Sequence, residues 1–433
     1  MKQNYADEIR EKLDKAIKAI TRERVKYVKN SRVDFVRNRK LTMRGTIDLL
    51  LSMSGGSLNK ELHRAGISAT PSAFCQSRAK ISPRAFRDIL AKFNRLCDDR
   101  KTYRGYHLYA VDGSCINMAR NPNLPSYVES GDYNQMHLNT LFDLENKTYT
   151  DAVIQPQSRV DEIGAMIDML KRGNFKGDNL IICDRGYESY NLFAHFMNTP
   201  NVDFLCRVKQ NNSAMREIAK LPMMELDRDV SFVITNTQTR EDKEKGYIFV
   251  QKESPKRKKG TKKRYSRWDF GSPYLMQFRV VRIMLDNGEY ETLATSLPRS
   301  FGLQELRELY RQRWGVESSY RDVKHSMGLV LLHGKAEDFV RQEIYAAMTM
   351  YNFCNRICGA VVVEQKPKNV YAYRVNFKMA VYLCREFYRN RRQDGETLMK
   401  EISRYTEPVR PGRKDKRNLR PKGFVGFTYR VAA

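Results

Sequence analysis

Four residues near the middle of the chain, Tyr310, Arg313, Glu317 and Lys324, stand three, four and seven positions apart. On an α-helix, at about 100° per residue, they fall within an arc of about 60° on one face. Leu309, Val316, Tyr320, Val323 and Met327 form an apolar stripe beside that row, so the helix can pack while presenting the row at the edge of its contact. An ion-pair ladder facing water would give the same pattern. Two aspartates add to it. Asp112 ends the apolar run 107–111 and Asp184 ends the run 179–183. A carboxylate at the end of a buried strand is costly unless it is paired, hydrogen-bonded or bound to a cation. Each could instead cap a turn, since Asp112 precedes Gly113 and Asp184 precedes Arg185-Gly186. Together with a distant helical Glu they make the oxygen-ligand set that Mg²⁺ prefers.

The elements needed to hold these residues are legible as patterns. Residues 1–100 read as helices: 46–51 is apolar at helical spacing, and Ser82-Pro83 offers an N-cap and a first-turn proline for a helix running toward Cys97. Segments 136–142 and 149–155 flank Asp143-Leu144-Glu145-Asn146-Lys147 and read as a hairpin. A helix over 161–170, a buried strand over 179–183, a helix over 190–197 and a strand over 202–208 follow. Strands paired locally and then alternating with helices imply a mixed sheet in an α/β domain. Segments 229–235, 246–251, 274–285 and 290–295 are strand-like, with an Asn287-Gly288 turn signal between the last two. From 302 the chain is helical again. The expected division is a helical DNA-binding region over 1–100, a catalytic domain over 101–213 and 301–360, a β-rich insertion over 214–300, and a helical, basic region over 361–433.

Composition points to the partner. Lys and Arg total 78 against 50 Asp and Glu, a formal net charge of +28 in 433 residues. Such a surplus favours a polyanion, because each neutralised phosphate releases counterions; charge alone leaves ribosomal and membrane surfaces open. Basic residues stud 22–44, the run Lys256–Arg264 and the tail 410–422. The eight cysteines form no CxxC pair, which suits small buried side chains in a reducing compartment. No apolar run approaches the roughly 20 residues of a membrane span, and the N-terminus lacks the apolar core of a signal peptide. A cytoplasmic, nucleoid-associated protein is expected. No P-loop appears, so no nucleotide cofactor is expected.

The spacing Tyr310-x2-Arg313-x3-Glu317-x6-Lys324, with Ala110-Val111-Asp112-Gly113-Ser114 and Cys183-Asp184-Arg185-Gly186-Tyr187, resembles the insertion-sequence-four family of DDE transposases and its Tyr-Arg-Glu-Lys signature. The resemblance covers roughly 70–360. It implies a ribonuclease-H-like mixed sheet flanked by helices and interrupted by the β-rich insertion, behind an N-terminal helical domain. In that reading Asp112, Asp184 and Glu317 are catalytic and bind two Mg²⁺ ions, for which Mn²⁺ can substitute. One ion would activate water or a DNA 3′-hydroxyl and the other would stabilise the leaving oxygen. Tyr310, Arg313 and Lys324 would grip the transposon-end backbone. The partners implied are double-stranded DNA, as terminal inverted repeats and as target, and a second copy in a homodimeric synaptic complex. Some members of the family pass through a hairpin, which favours flipping a base onto an aromatic ring. The two tryptophans, Trp268 beside the basic run and Trp314 inside the signature, are the candidates; either could equally be a core ring. The other readings are a ribonuclease-H-like nuclease that cuts without joining and a catalytically idle DNA-binding protein descended from a transposase.

Overall fold

The computed structural model of the chain describes residues 4–37, 39–97, 101–173, 175–210, 215–253 and 267–410. The basic run at 256–264 and the tail beyond Arg410 lie outside the described residues.

The sheet begins with β1 (His107–Met118), whose outer neighbour is β3 (Tyr133–Asp143), reached through the two-residue β2 (Tyr127–Val128). β3 turns through Asp143–Lys147 into β4 (Thr148–Pro156), the hairpin read from the sequence. On the other side of β1 lie β5 (Asn179–Cys183) and β6 (Val202–Arg207), both parallel to it. The order β4-β3-β1-β5-β6, antiparallel at one end and parallel at the other, is the ribonuclease-H-like arrangement. The sheet does not stop there. β7 (Leu226–Thr235), β8 (Ile248–Phe249), β9 (Tyr274–Met284) and β10 (Tyr290–Thr295) come from the expected insertion, and β10 pairs antiparallel with β6. The insertion therefore extends the catalytic sheet to ten strands. The expected strand over 246–251 shrinks to β8, at the free edge.

Alternation along β1 and β5 decides which helices meet which face. Tyr109, Val111, Ile181 and Cys183 face the helices over Glu162–Arg172 and Tyr190–Met197, burying Met166, Met169, Leu192 and Phe193. Leu108, Leu180 and Ile182 point the opposite way, onto Leu306 and Leu309 of the helix over Leu303–Gln312. Ala110 joins a third and larger cluster with Val316, Tyr320 and Val323.

That third cluster contains both ends of the described chain. Helices over Tyr5–Arg22, Met43–Ser52 and Pro83–Leu96 pack on one over Glu337–Ala360, and helices over Phe377–Arg389 and Gly395–Arg404 close the same core. The Pro83–Leu96 helix starts as its sequence predicts, with the Ser82 hydroxyl accepting from the Arg84 amide. Polar links reinforce the packing. Arg10 donates to the carbonyls of Phe387 and Gln393, and the Gly395 amide donates to Asp7 at 2.7 Å. Arg78 is buried against Glu343 at 2.8 Å, with Gln342 and the Phe339 carbonyl as further acceptors. The N-terminal helices are thus part of the shell around the sheet.

Candidate active site

Val111 pairs with Cys183 across the parallel strands, so Asp112 and Asp184 occupy the next positions on two adjacent strands. Both share the side-chain parity of Leu108, Leu180 and Ile182, which places them on the face covered by the signature helix. That helix runs without a gap from Leu303 to Ser326. Arg313, with a helical φ of −49° and ψ of −33°, joins Leu303–Gln312 to Trp314–Arg321, and residues Asp322–Ser326 form a π-helical turn carrying Lys324. The row expected from the spacing therefore stays on one helix, with a wider turn at its last member. Such turns recur at functional sites because they re-aim a side chain.

Tyr320 locks this helix to the sheet. Its hydroxyl donates to the Asp112 carbonyl at 2.6 Å and lies 2.7 Å from the Thr140 hydroxyl on β3. Glu317, one turn earlier, contacts Arg313 at 3.1 Å, and the same guanidinium stands 3.9 Å from Asp112 Oδ2. Lys324 donates to the Ser114 hydroxyl at 2.8 Å, two residues along β1 from Asp112, and burial lowers its pKa. Asp184 accepts from the Gly186 amide at 2.7 Å, capping the turn that follows β5.

The electrostatics bear the strain of gathering these charges. Burial pushes the Asp112 carboxyl up to about 6 from an ordinary 3.8. The Gly113 amide and Arg313 act against that rise, while Asp184 and Glu317 add to it. Asp112 thus feels the charge of both other carboxylates, although burial is the main cause of its rise. An all-oxygen donor set is chemically suited to a hard divalent cation. Among the described residues, no three acidic, histidine or cysteine groups stand close enough to share an ion as they are.

Tyr310 is 5% exposed, with its ring 5.8 Å below the Arg313 guanidinium, so it backs the arginine. Trp314 is half exposed and flanks the same guanidinium at 5.3 Å. Trp268 does not join the group. It is 2% exposed, packs on Phe270 and Tyr274, and donates its indole N–H to the Gly271 carbonyl. Its faces are spent on the core, which corrects the expectation that it meets DNA.

Sequence reading missed one cluster behind Asp112. His137 on β3 lies 3.1 Å from Glu162 and 3.5 Å from the Cys115 sulfur. Burial alone would lower the imidazole pKa, but Cys115 and Glu162 hold it up at about 9. The pair fills the space beside Gly113, where an added Cβ would sit 2.5 Å from His137 Nε2 and 2.6 Å from Glu162. Gly113, adjoining Asp112, was the available signal. Its neighbours are set by strand pairing, which local spacing does not reveal.

The family model described as "Transposase DDE domain" matches residues 103–353. A solved piggyBac transposase synaptic complex with hairpin DNA, determined by cryo-electron microscopy, is similar at 13% identity and a TM-score of 0.40. That match covers 97% of this chain and 87% of the other. No curated protein matches the sequence.

Proposed function

This chain belongs to the transposases with a DDE domain, and from that premise we propose that it is a cut-and-paste transposase of the insertion-sequence-four type. Transposases of this family cleave DNA and transfer strands, and they generally use divalent metal ions. The chain would cleave at terminal inverted repeats and join the freed ends to target DNA, acting as a homodimer because two ends must be brought together.

The observation that supports this reading best is the side-by-side placement of Asp112 and Asp184 on parallel strands, with Glu317 facing them from the signature helix. These three carboxylates would hold two Mg²⁺ ions. Such ions, when bound, polarise the phosphate and lower the pKa of the attacking hydroxyl. Arg313 and Lys324 bring two positive charges to the rim of the site, where the charge of a phosphodiester in displacement gathers. Tyr310 holds Arg313 from beneath. Trp314 offers an open ring beside the scissile position, suited to stacking a flipped base in a hairpin route. On the N-terminal side, Arg22, Arg32, Arg37, Arg39 and Lys40 are exposed and would contact the DNA backbone.

The test is excision from a donor plasmid bearing the gene's own flanking ends, with Mg²⁺, comparing wild type with Asp184→Asn. Excision by wild type, lost in the variant while end binding persists, is the expected result. Binding by both proteins with cutting by neither would leave a DNA-binding protein without catalysis.

A further inference from the structure

Arg313 stands between two of the candidate carboxylates. It is 6% exposed, yet its Nε has no hydrogen-bond partner, and its terminal nitrogens reach Glu317 at 3.1 Å and Asp112 at 3.9 Å. A guanidinium fork matches one carboxylate or phosphate in two parallel bonds, the strongest arrangement open to it. This one makes a single short contact and a long one, split between two acids from different elements. Tyr310 and Trp314 flank it, and Trp314 is 51% exposed, so an aromatic wall leads from the carboxylates to solvent.

We infer that Arg313 is a stand-in cation, occupying the space between Asp112 and Glu317 until DNA draws it away, so that divalent-ion binding and DNA binding are coupled through one side chain. The inference rests on the proposed role of the three carboxylates. A guanidinium and a divalent ion a few ångströms apart repel strongly at the effective dielectric of a protein. Entry of the ion therefore requires the guanidinium to withdraw. A DNA phosphate at the rim supplies the bidentate partner it lacks. Linkage makes the effect reciprocal: DNA tightens ion binding, and ions tighten DNA binding, by the same factor. The site is thereby kept poor in metal until a substrate is seated.

The experiment is a Mn²⁺ titration of the full chain, followed by the electron paramagnetic resonance of free Mn²⁺, with and without a duplex of the flanking end. Wild type is expected to bind Mn²⁺ about tenfold more tightly with the duplex than without it. Arg313→Gln is expected to bind Mn²⁺ about tenfold more tightly than wild type in the absence of DNA, and to gain little from the duplex. Arg313→Lys, which keeps the charge on a stem unable to bridge both acids, should fall between them and decides the matter if the glutamine variant does not fold. Affinity without DNA that is unchanged or weaker in the folded Arg313 variants overturns the inference. Glu317→Gln serves as the control: if it leaves Mn²⁺ binding intact, the carboxylate reading itself has failed, whereas loss in Glu317→Gln with no gain in Arg313→Gln defeats the coupling alone.

Discussion

Lys324 reaches Ser114 at 2.8 Å from the π-helical turn that ends the signature helix, and this contact ties the last residue of the motif to the strand carrying Asp112. Ser114→Ala removes the acceptor and leaves the ammonium half-buried without it. The excision rate at saturating DNA should fall on the order of tenfold, the worth of a hydrogen bond to a charged group. Adding Lys324→Ala should then cost little more than Lys324→Ala alone. A double-mutant cycle in which the two losses simply add would show that the contact is incidental.

Asp112 predicts a trade between stability and function. Its carboxyl sits at about 6 when folded, against 3.8 for an unstrained aspartate. A raised carboxyl stabilises the fold fully below pH 3.8, and that contribution is lost as pH rises through 6. In the absence of divalent ions, Asp112→Asn should be more stable than wild type at pH 8, by at most about 3 kcal/mol. The difference should shrink to about 0.5 kcal/mol at pH 4 and vanish at lower pH. Melting curves of both proteins across that range check it, and equal stability at pH 8 would contradict the cost of burying this carboxylate.

The two tryptophans should separate cleanly. Trp268→Ala empties a core position and should cost about 3–5 kcal/mol, read as a lowered denaturation midpoint. Trp314→Ala touches an exposed ring and should change stability by no more than about 0.5 kcal/mol. Its effect should appear in the cleavage products on a denaturing gel, as fewer hairpin ends per nicked end.

Glu343 carries the ion pair that joins the N-terminal helices to the shell. Burial alone would raise its pKa, but the charges of Arg78 and His333 hold it down at about 2. Its contribution is present above the ordinary 4.5 and is lost as pH falls through 2. Glu343→Ala leaves the Arg78 guanidinium buried and uncompensated, at a cost of about 3–5 kcal/mol. Urea unfolding at neutral pH measures it, and a midpoint close to wild type would mean that the network relaxes around the loss.

The catalytic half of the sheet was legible because its signals are local. Asp112 and Asp184 end short apolar runs, the 143–147 turn lies between alternating strands, and the Asn287-Gly288 turn closes β9 onto β10, with Gly288 at φ +79°. What sequence could not give were pairings between distant segments. Nothing in residues 290–295 says that they lie against 205–207, so the insertion looked like a separate block and is a continuation of the sheet. Likewise the apolar stripes of the first hundred residues announce helices but not their partners, some of which, on the helix over Glu337–Ala360, lie more than 240 positions away along the chain. The signature was readable as a row. Its closing π turn is a departure that a fixed 3.6-residue period cannot express. Trp268 misled because adjacency to a basic run says nothing about where a ring points.

Both ends of the described chain meet in one core, and this sets a timetable for synthesis. Ile9, Leu13 and Ile17 share this core with Leu398 and Ile402, which are synthesised almost four hundred residues after them. At the usual elongation speed of about 5–20 residues per second, that interval lasts tens of seconds. The first helix meets the helices over Met43–Ser52 and Pro83–Leu96 early in that interval, and the helix over Gly395–Arg404 only at its end. A chain halted short of its closing helices leaves part of this core uncovered, and exposed apolar surface of that kind favours aggregation.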